Sequence, residues 1–395
     1  MTRLVGYELR KILSNKILLV LIVILLGATV MEAWRPWTQA SKTARYGQRF
    51  TKPHIGILND APTLPEEDLQ AFLSDMHSLS SDFGAGTLDQ SLPGKYLDTV
   101  AGDLFMAGNV AAQQQRFDEA MAIRENIISS ARRLGRDAVE AGDTFNIRRN
   151  LDIIETFSVR LKPEWTPTRG WNFAFGNNLQ SIFVMVLVLG AAATVFSAEK
   201  ETGAIQLIAT SRKGRGATAA AKILACTILA FLLSILFTLV TMFVYHYVYG
   251  LWSFTMPLLI LQDFHLTPLN ISTSQFLVIS ALFKAAGAVL FAGIACMISA
   301  LCKSNLKAYI ASAAVLGLSF GYSFLHSYLK WPEALHAFDI TLFTRPSDYF
   351  ARYFVADIFT YPVMWAIVHA VCAALILSAV CAIAVRAHTH RPQRM

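Results

Sequence analysis

Few residue patterns in this sequence could carry out chemistry. It contains no GxxxxGK[ST] phosphate-binding loop and no HExxH zinc motif, so neither P-loop nucleotide hydrolysis nor zinc proteolysis of that type is supported. Gly317-Leu318-Ser319 superficially resembles a serine nucleophile turn, but Phe320 follows it and no histidine partner can be placed. His388 and His390 could contact a metal, although a solvated basic tail explains them better. We therefore expect no catalytic residue and no metal site.

The charged loop after the second apolar block is the most informative segment. Glu199 and Glu201 open a short stretch with helical potential that contains Gly203, and a basic turn with Arg212 and Arg215 follows. Acidic residues in a first turn suit the positive end of the helix dipole. Apolar residues between the acids and the bases would form one face. This layout is what a short helix docked to a partner protein at the membrane surface would need.

The elements that position this loop are apolar blocks of membrane-spanning length. The 395 residues are 54% hydrophobic and only 15% charged, whereas soluble domains carry about 25% charged residues. Block length separates a membrane span from a core helix. Six spans are predicted, at residues 17–31, 178–196, 223–248, 275–301, 308–325 and 362–385. We interpret the first block as an uncleaved span because no A-x-A cleavage site follows it.

The basic residues indicate membrane topology and not nucleic-acid binding. Residues 35–175 hold 16 basic and 18 acidic residues, whereas the rest of the chain holds 18 basic and 9 acidic. That basic excess lies in short loops beside the apolar blocks, while loop 250–275 has no Lys or Arg. By the positive-inside rule, both termini are expected in the cytoplasm of a multi-pass cell-membrane protein.

The pattern divides the chain into three parts. Residues 1–34 are expected to form an amphipathic helix on the cytoplasmic membrane surface, at about residues 2–16, and the first span. Residues 35–175 are expected to form a mainly helical extracytoplasmic domain, with a helix start at Pro65 and helices at 98–134 and 139–161. Residues 176–395 are expected to hold five spans and a cytoplasmic coupling loop at 197–222. The predicted fold class is an all-α polytopic membrane protein.

Several short motifs together resemble the permeases of type-2 ABC exporters. Glu199, Gly203, Ile208 and Arg215 fit the family's coupling-loop pattern, E-x-x-x-G-x-x-x-x-L followed by a Gly-Arg turn. Residues 7–16 are similar to the family's interfacial helix, and residues 302–308 resemble its turn between the fourth and fifth spans. The large domain after the first span departs from many members, which leaves the substrate open.

The resemblance implies a division of labour between subunits. Two six-span permeases, either copies or paralogues, would pair in the membrane lipid, and two cytoplasmic ABC ATPases would bind ATP beneath them. The permease itself would hold no cofactor. The resemblance assigns the ATPase contact to five residues of the coupling loop: Glu199, Glu201, Gly203, Arg212 and Arg215.

One charged residue lies inside a predicted span. Lys284 falls within the fourth apolar block, where a charge is costly. It could line a substrate path, or it could snorkel or pair with Asp263 or a tyrosine hydroxyl.

Three functions are compatible with these patterns. ABC export driven by a separate ATPase is favoured by the coupling-like loop and the missing P-loop. A membrane sensor or immunity protein that binds a peptide or antibiotic through residues 35–175 is the alternative. An ion-coupled secondary transporter is disfavoured, because the spans hold almost no buried carboxylates.

Overall fold

The computed structural model describes residues 1–43, 94–159, 169–206, 214–249, 251, 254–326 and 340–390, and it confirms an all-α polytopic membrane protein. The predicted helix start at Pro65 lies outside the described residues. The α-helices are α1 Thr2–Leu13, α2 Lys16–Thr43, α3 Gly94–Ala141, α4 Thr144–Ser158, α5 Arg169–Gly176, α6 Leu179–Ala192, α7 Ser197–Glu201, α8 Gly214–Tyr249, α9 Thr273–Leu301, α10 Asn305–His326, α11 Pro346–Phe350 and α12 Trp365–His390. Short 3₁₀ helices lie at Leu258–Ile260, Gln262–Phe264 and Ile340–Thr344.

The long helices are apolar enough to cross a membrane. Within the described residues, four stretches meet the length and hydropathy that a span requires, namely 170–201, 216–248, 273–301 and 365–389. A fifth is added if α1 and the first part of α2, which meet at a 71° bend, are one broken span. The 22-residue helix α10 occupies the place of the predicted fifth span. The count of six stays a prediction.

Helices α8 and α9 form the centre of the bundle. Helix α8 packs against α2, α6, α9 and α12, and one apolar core runs through these contacts. Gly287 of α9 lies where the segment Ile340–Thr344 presses against the helix. A Cβ at this glycine would lie 2.4 Å from the Cβ of Phe343, so only glycine allows this approach.

The bundle has two ends, which we name by their elements. The terminal face is formed by α1, α7, the turn 302–304 and the last turn of α12, where the ring of His388 lies 5.1 Å from that of Phe196. The distal face is formed by α3, α4, α5 and the segments 254–272 and 340–364. There the Trp171 ring contacts that of Phe254 at 5.3 Å.

Helices α3 and α4 form an antiparallel hairpin on the distal face. The predicted helix end at residue 134 is wrong, because α3 continues to Ala141. Gly135 is tolerated in the helix, where a Cβ added to it would make only an ordinary van der Waals contact with Asn150 of α4, at 3.5 Å. The break comes at Gly142, whose φ of +68° favours glycine. Asp143 then caps α4 by accepting a hydrogen bond from the Asn146 amide at 3.0 Å.

Hydrogen bonds join this hairpin to the distal loops. The Arg124 guanidinium of α3 donates to Asn270 Oδ1 at 3.1 Å, and Asn270 donates to the Thr156 carbonyl at 2.9 Å. The Tyr353 hydroxyl donates to the Asp152 carboxylate of α4. Burial, and then this hydrogen bond, raise the pKa of Tyr353, so its hydroxyl stays protonated. The hairpin is therefore attached to the loops that lead into α9 and α12.

A small β-hairpin precedes the last span. Strands β1 Val355–Ile358 and β2 Tyr361–Met364 pair antiparallel, and Phe359 and Thr360 form the turn with φ of 51° and 66°. The predicted start of the sixth span at residue 362 is wrong, since Pro362 lies in β2 opposite Asp357 and the helix begins at Trp365. A proline can begin a helix, but it also fits a strand at the edge of a sheet.

Candidate functional site

Helix α7 at the terminal face is fixed to the turn between α9 and α10. The amides of Phe196 and Ser197 donate to Ser299 Oγ at 3.0 and 3.1 Å. Ser197 Oγ donates to Asn305 Oδ1 at 2.7 Å, and the Asn305 amide donates to Glu201 Oε2 at 3.1 Å. Five residues cannot form a stable helix alone. These side chains supply the hydrogen bonds that the helix ends otherwise lack.

Two further residues set the ends of neighbouring helices. Lys200 Nζ donates to the carbonyls of Ala300 and Cys302, the latter at 3.1 Å, and so satisfies the C-terminal end of α9. Gly203 follows the C-cap of α7 with a φ of +72°, a left-handed conformation that glycine adopts without strain. The pattern Glu199-x-x-x-Gly203 therefore encodes a short helix and its termination.

The opposite side of α7 carries a group of paired charges, which we name the ion cluster: Glu8, Lys11, Glu199 and Lys222. Glu199 Oε1 lies 2.6 Å from Lys222 Nζ and 3.1 Å from Lys11 Nζ. Lys222 Nζ also lies 3.1 Å from Glu8 Oε2. The cluster joins α7 to α1 and α8 through ionic hydrogen bonds, which are stronger than neutral ones.

The local sequence brings these charges to one place. Glu8 and Lys11 are three residues apart on α1 and therefore lie on the same face. That helix packs along α8, where Val5 contacts a patch that contains Ala221 and Ala225. The alanines leave room for α1 to approach, and Lys222 stands between them on the α8 sequence. The 71° bend after α1 orients the helix for this contact.

Burial makes the cluster interdependent. Lys222 is fully buried, and Glu8 and Glu199 are only 4% and 6% exposed, whereas Lys11 is about half exposed at 51% of its side chain. The two carboxylates and two ammonium groups balance in charge. Removing one member of a buried pair leaves an uncompensated charge, which costs about 3–5 kcal/mol. Loss of any one buried charge therefore destabilises the whole ion cluster, and with it the contact of α7 with α1 and α8.

The predicted coupling residues lie in different environments. Glu199 faces the interior, Glu201 is exposed apart from its bond to Asn305, and Gly203 ends α7. Arg212 lies outside the described residues. Arg215 lies in the first turn of α8, where only the backbone is described. Lys284 lies towards the distal face, in hydrogen-bond contact with Asn177.

Sequence reasoning missed the central cation and one of its partners. Lys222 is the last residue of the predicted coupling loop 197–222 but is not among its five predicted contact residues, and Glu8 lies in the predicted interfacial helix without a role of its own. A usable signal existed, because Glu8 is the only acid in a basic amphipathic helix. A lone acid at that place indicates a specific cationic partner.

Comparison with known families agrees with the motif pattern. The family described as "ABC-2 family transporter protein" matches residues 113–386. The chain belongs to this ABC-2 transporter family. The match runs from within α3 to the end region of α12 and includes α7 and Lys222, so the central part of the ion cluster lies in the family region. A search of curated proteins gave no match.

Proposed function

We propose that this ABC-2 family protein is the permease subunit of an exporter whose ATP hydrolysis takes place in a separate ATPase bound at the terminal face. The observation that supports the proposal is the position of α7. It is held to the α9–α10 turn on one side and to α1 and α8 on the other. An ATPase that moves α7 would therefore displace α1, α8, α9 and α10 together with it.

In this proposal the residues of the loop divide into two roles. Glu201, Gly203, Arg212 and Arg215 form the surface that docks the ATPase. Glu199 is a positioning residue, because its carboxylate is occupied by Lys222 and Lys11 within the permease. Through it, a displacement of the docking surface is transmitted to α1 and to the third predicted span.

The proposal includes a topology and an assembly. The terminal face and both termini lie in the cytoplasm of a multi-pass cell-membrane protein, and α3 and α4 lie in the extracytoplasmic domain. A second copy or a paralogue completes the permease. The scarcity of Lys and Arg in the distal loops supports this orientation.

Co-purification tests whether an ABC ATPase binds this protein. The tagged full chain is expressed with candidate ABC ATPases from the same genome and isolated in mild detergent. We expect one ATPase to co-purify in stoichiometric amount and its activity in liposomes to depend on the permease. A clean preparation that recruits no ATPase would remove the proposal.

Two substitutions separate docking from transmission. Glu201→Gln should weaken co-purification of the ATPase, because it removes an exposed charge from the docking surface and keeps an oxygen that can accept from the Asn305 amide. Glu199→Gln should leave co-purification intact and reduce permease-dependent ATPase activity, because it weakens the pairs with Lys222 and Lys11. Glu125→Gln removes an exposed charge from the distal hairpin and is the matched control. Equal behaviour of all three variants would contradict the division of roles.

Cysteine labelling tests the topology. In a Cys302→Ser background, Gln115→Cys on α3 should react with a membrane-impermeant maleimide on intact cells, and Lys307→Cys on α10 only after permeabilisation. Both positions are exposed. The reverse pattern would place the terminal face outside and exclude an ATPase there.

A groove between α3 and α4 favours the sensor as a second candidate function. It has a volume of about 720 Å³, within the size range of ligand sites. Apolar Ile127, Leu134 and Ile153 line it together with the charged Asp137 and Arg149. Deletion of residues 40–160 should abolish a peptide or antibiotic response without loss of ATPase assembly. A retained response would exclude the sensor.

A further inference from the structure

Lys284 is a buried cation deep in the bundle. It is 5% exposed and lies on α9, eleven residues from the distal end of the helix, which is a depth of about 16 Å at 1.5 Å per residue. Its ammonium group faces the junction between α5 and α6, and the helix around it is part of the apolar core. It therefore does not reach the membrane surface by snorkelling.

The groups that contact Lys284 are neutral. Its Nζ donates to the backbone carbonyl of Asn177 at 3.4 Å. In the orientation that satisfies its neighbours, the Gln180 amide donates to the Phe237 carbonyl and to Thr241, and turns its oxygen to Lys284 Nζ at 3.0 Å. Within the described residues, no carboxylate forms an ion pair with this lysine.

Hydrogen bonds connect Lys284 to the carboxylate of Glu32 through one intervening residue, Asn177. Asn177 Nδ2 donates to Glu32 Oε2 of α2 at 2.8 Å and to the Tyr245 hydroxyl of α8 at 3.0 Å. Asn177 thus contacts the ammonium with its backbone and the carboxylate with its side chain. We name Glu32, Asn177, Gln180 and Lys284 the polar network. It links α2, α6 and α9 and keeps the two charges apart.

A buried ammonium without an anion is costly, and an arriving anion would remove that cost. We propose that Lys284 binds an oxyanion group of the transported substrate, a phosphate or carboxylate, which takes the place of the Asn177 carbonyl and the Gln180 amide. The proposal rests on the exporter function and names the chemistry of its cargo. When the site is empty, the Asn177 bridge holds α2 against α8 and α9.

The test uses the full chain in dodecyl maltoside and follows thermal unfolding by tryptophan fluorescence. The probes are dodecyl phosphate, zwitterionic dodecylphosphocholine and inorganic phosphate. A ligand that binds the folded state raises Tm with its concentration. We expect dodecyl phosphate to stabilise the wild type, Lys284→Arg and the control Lys307→Gln alike. Lys284→Gln should lose roughly tenfold to a hundredfold in affinity, as expected for one charged hydrogen bond.

The probes distinguish the sources of the anion. A response to dodecyl phosphate alone supports a lipid-like cargo, and a Lys284-dependent response to inorganic phosphate as well supports a free anion. Equal responses of wild type and Lys284→Gln to dodecyl phosphate and to inorganic phosphate would overturn the site. The assay contains no ATPase, so this failure is separate from a failure of co-purification.

Gln180→Glu keeps the proposal testable if Lys284→Gln does not fold. The new carboxylate would lie about where the amide oxygen is now, 3.0 Å from Lys284 Nζ, and would supply an internal anion. We expect no further response to dodecyl phosphate, whatever the change in Tm, because the second carboxylate oxygen would face the Phe237 carbonyl to which the amide now donates. A retained response to dodecyl phosphate would show that Lys284 does not act as an anion-binding cation.

Discussion

Two buried lysines, Lys222 and Lys284, lie on neighbouring helices of the bundle, and their partners differ. Lys222 near the terminal face is paired with two carboxylates at 2.6 and 3.1 Å. Lys284 towards the distal face is held by a carbonyl and an amide oxygen. Both lysines stand in apolar surroundings, where the cost of removing a charge from water is similar in kind.

This difference in partners distinguishes a fixed structural contact from a site at which a ligand can replace the existing partners. Charges that balance locally, as in the ion cluster, gain nothing from a further ligand and hold their helices in one arrangement. A charge that is only solvated by dipoles, as in the polar network, can exchange those dipoles for an anion. In the proposed exporter, the first suits transmission from an ATPase and the second suits recognition of cargo.

The largest expected effect is that of Lys222→Met. The substitution leaves Glu8 and Glu199 buried without their shared cation, so the free energy of unfolding should fall by about 3–5 kcal/mol. Unfolding in mixed micelles with increasing SDS measures it. Adding Glu8→Gln and Glu199→Gln to the Met variant should restore most of the loss. A single Met variant as stable as the wild type would break the comparison.

Gly287→Ala tests the packing beside the polar network. The new methyl would lie 2.4 Å from the Cβ of the buried Phe343, and the segment Ile340–Thr344 would have to move. We expect a loss of about 1–3 kcal/mol in the same unfolding assay. Gly317→Ala on α10 is the matched control, since nothing lies within 4 Å of its added Cβ. Equal stability of the two variants would show that Phe343 is not firmly seated.

Local patterns predicted much of the terminal face. The acids Glu199 and Glu201 predicted a short helix, and α7 lies there, but the predicted stretch ran on through Gly203, whereas α7 ends at Glu201 just before a left-handed Gly203. The helical spacing of the apolar residues in the first 16 positions predicted an amphipathic helix, and the inner face of α1 packs on α8. Propensity, capping and hydropathy act over a few residues, so a sequence displays them directly.

The partners of the buried charges could not be predicted in this way. Glu8 and Lys222 are 214 positions apart, and only the packing of α1 against α8 brings them together. The β-hairpin was missed for a different reason. Its turn residues, Phe359 and Thr360, have positive φ without the glycine or asparagine that marks such turns.

A smaller effect is expected from Lys284→Met. No carboxylate is stranded by this change, and the loss of a buried charge offsets the loss of its hydrogen bonds, so stability should stay within about 1 kcal/mol of the wild type. The difference in the free energy of unfolding between Lys284→Met and Lys222→Met measures how differently the two lysines are paired. A loss as large as that of Lys222→Met would mean that Lys284 is a structural cation whose anion is Glu32.

The smallest effect concerns a charge outside the bundle, the Asp143 carboxylate that caps α4. Hydrogen bonds from the Asn146 backbone amide and then from its side chain lower the pKa of Asp143. A lowered pKa means that the cap stabilises the helix above the unfolded value of about 3.9 and is lost as the pH falls through the folded value. Hydrogen exchange of residues 144–150 should therefore show less protection at low pH.

Asp143→Asn separates titration of the cap from its presence. Asparagine caps a helix about as well as aspartate but carries no proton that titrates in this range. The protection factors of residues 144–150 should then stay level between pH 6 and pH 3, while those of the wild type decline. Because water still reaches this partly buried carboxylate, the loss stays local to the first turn of α4. A loss of protection at low pH that also reached α9 would show that the distal hairpin and the polar network unfold together.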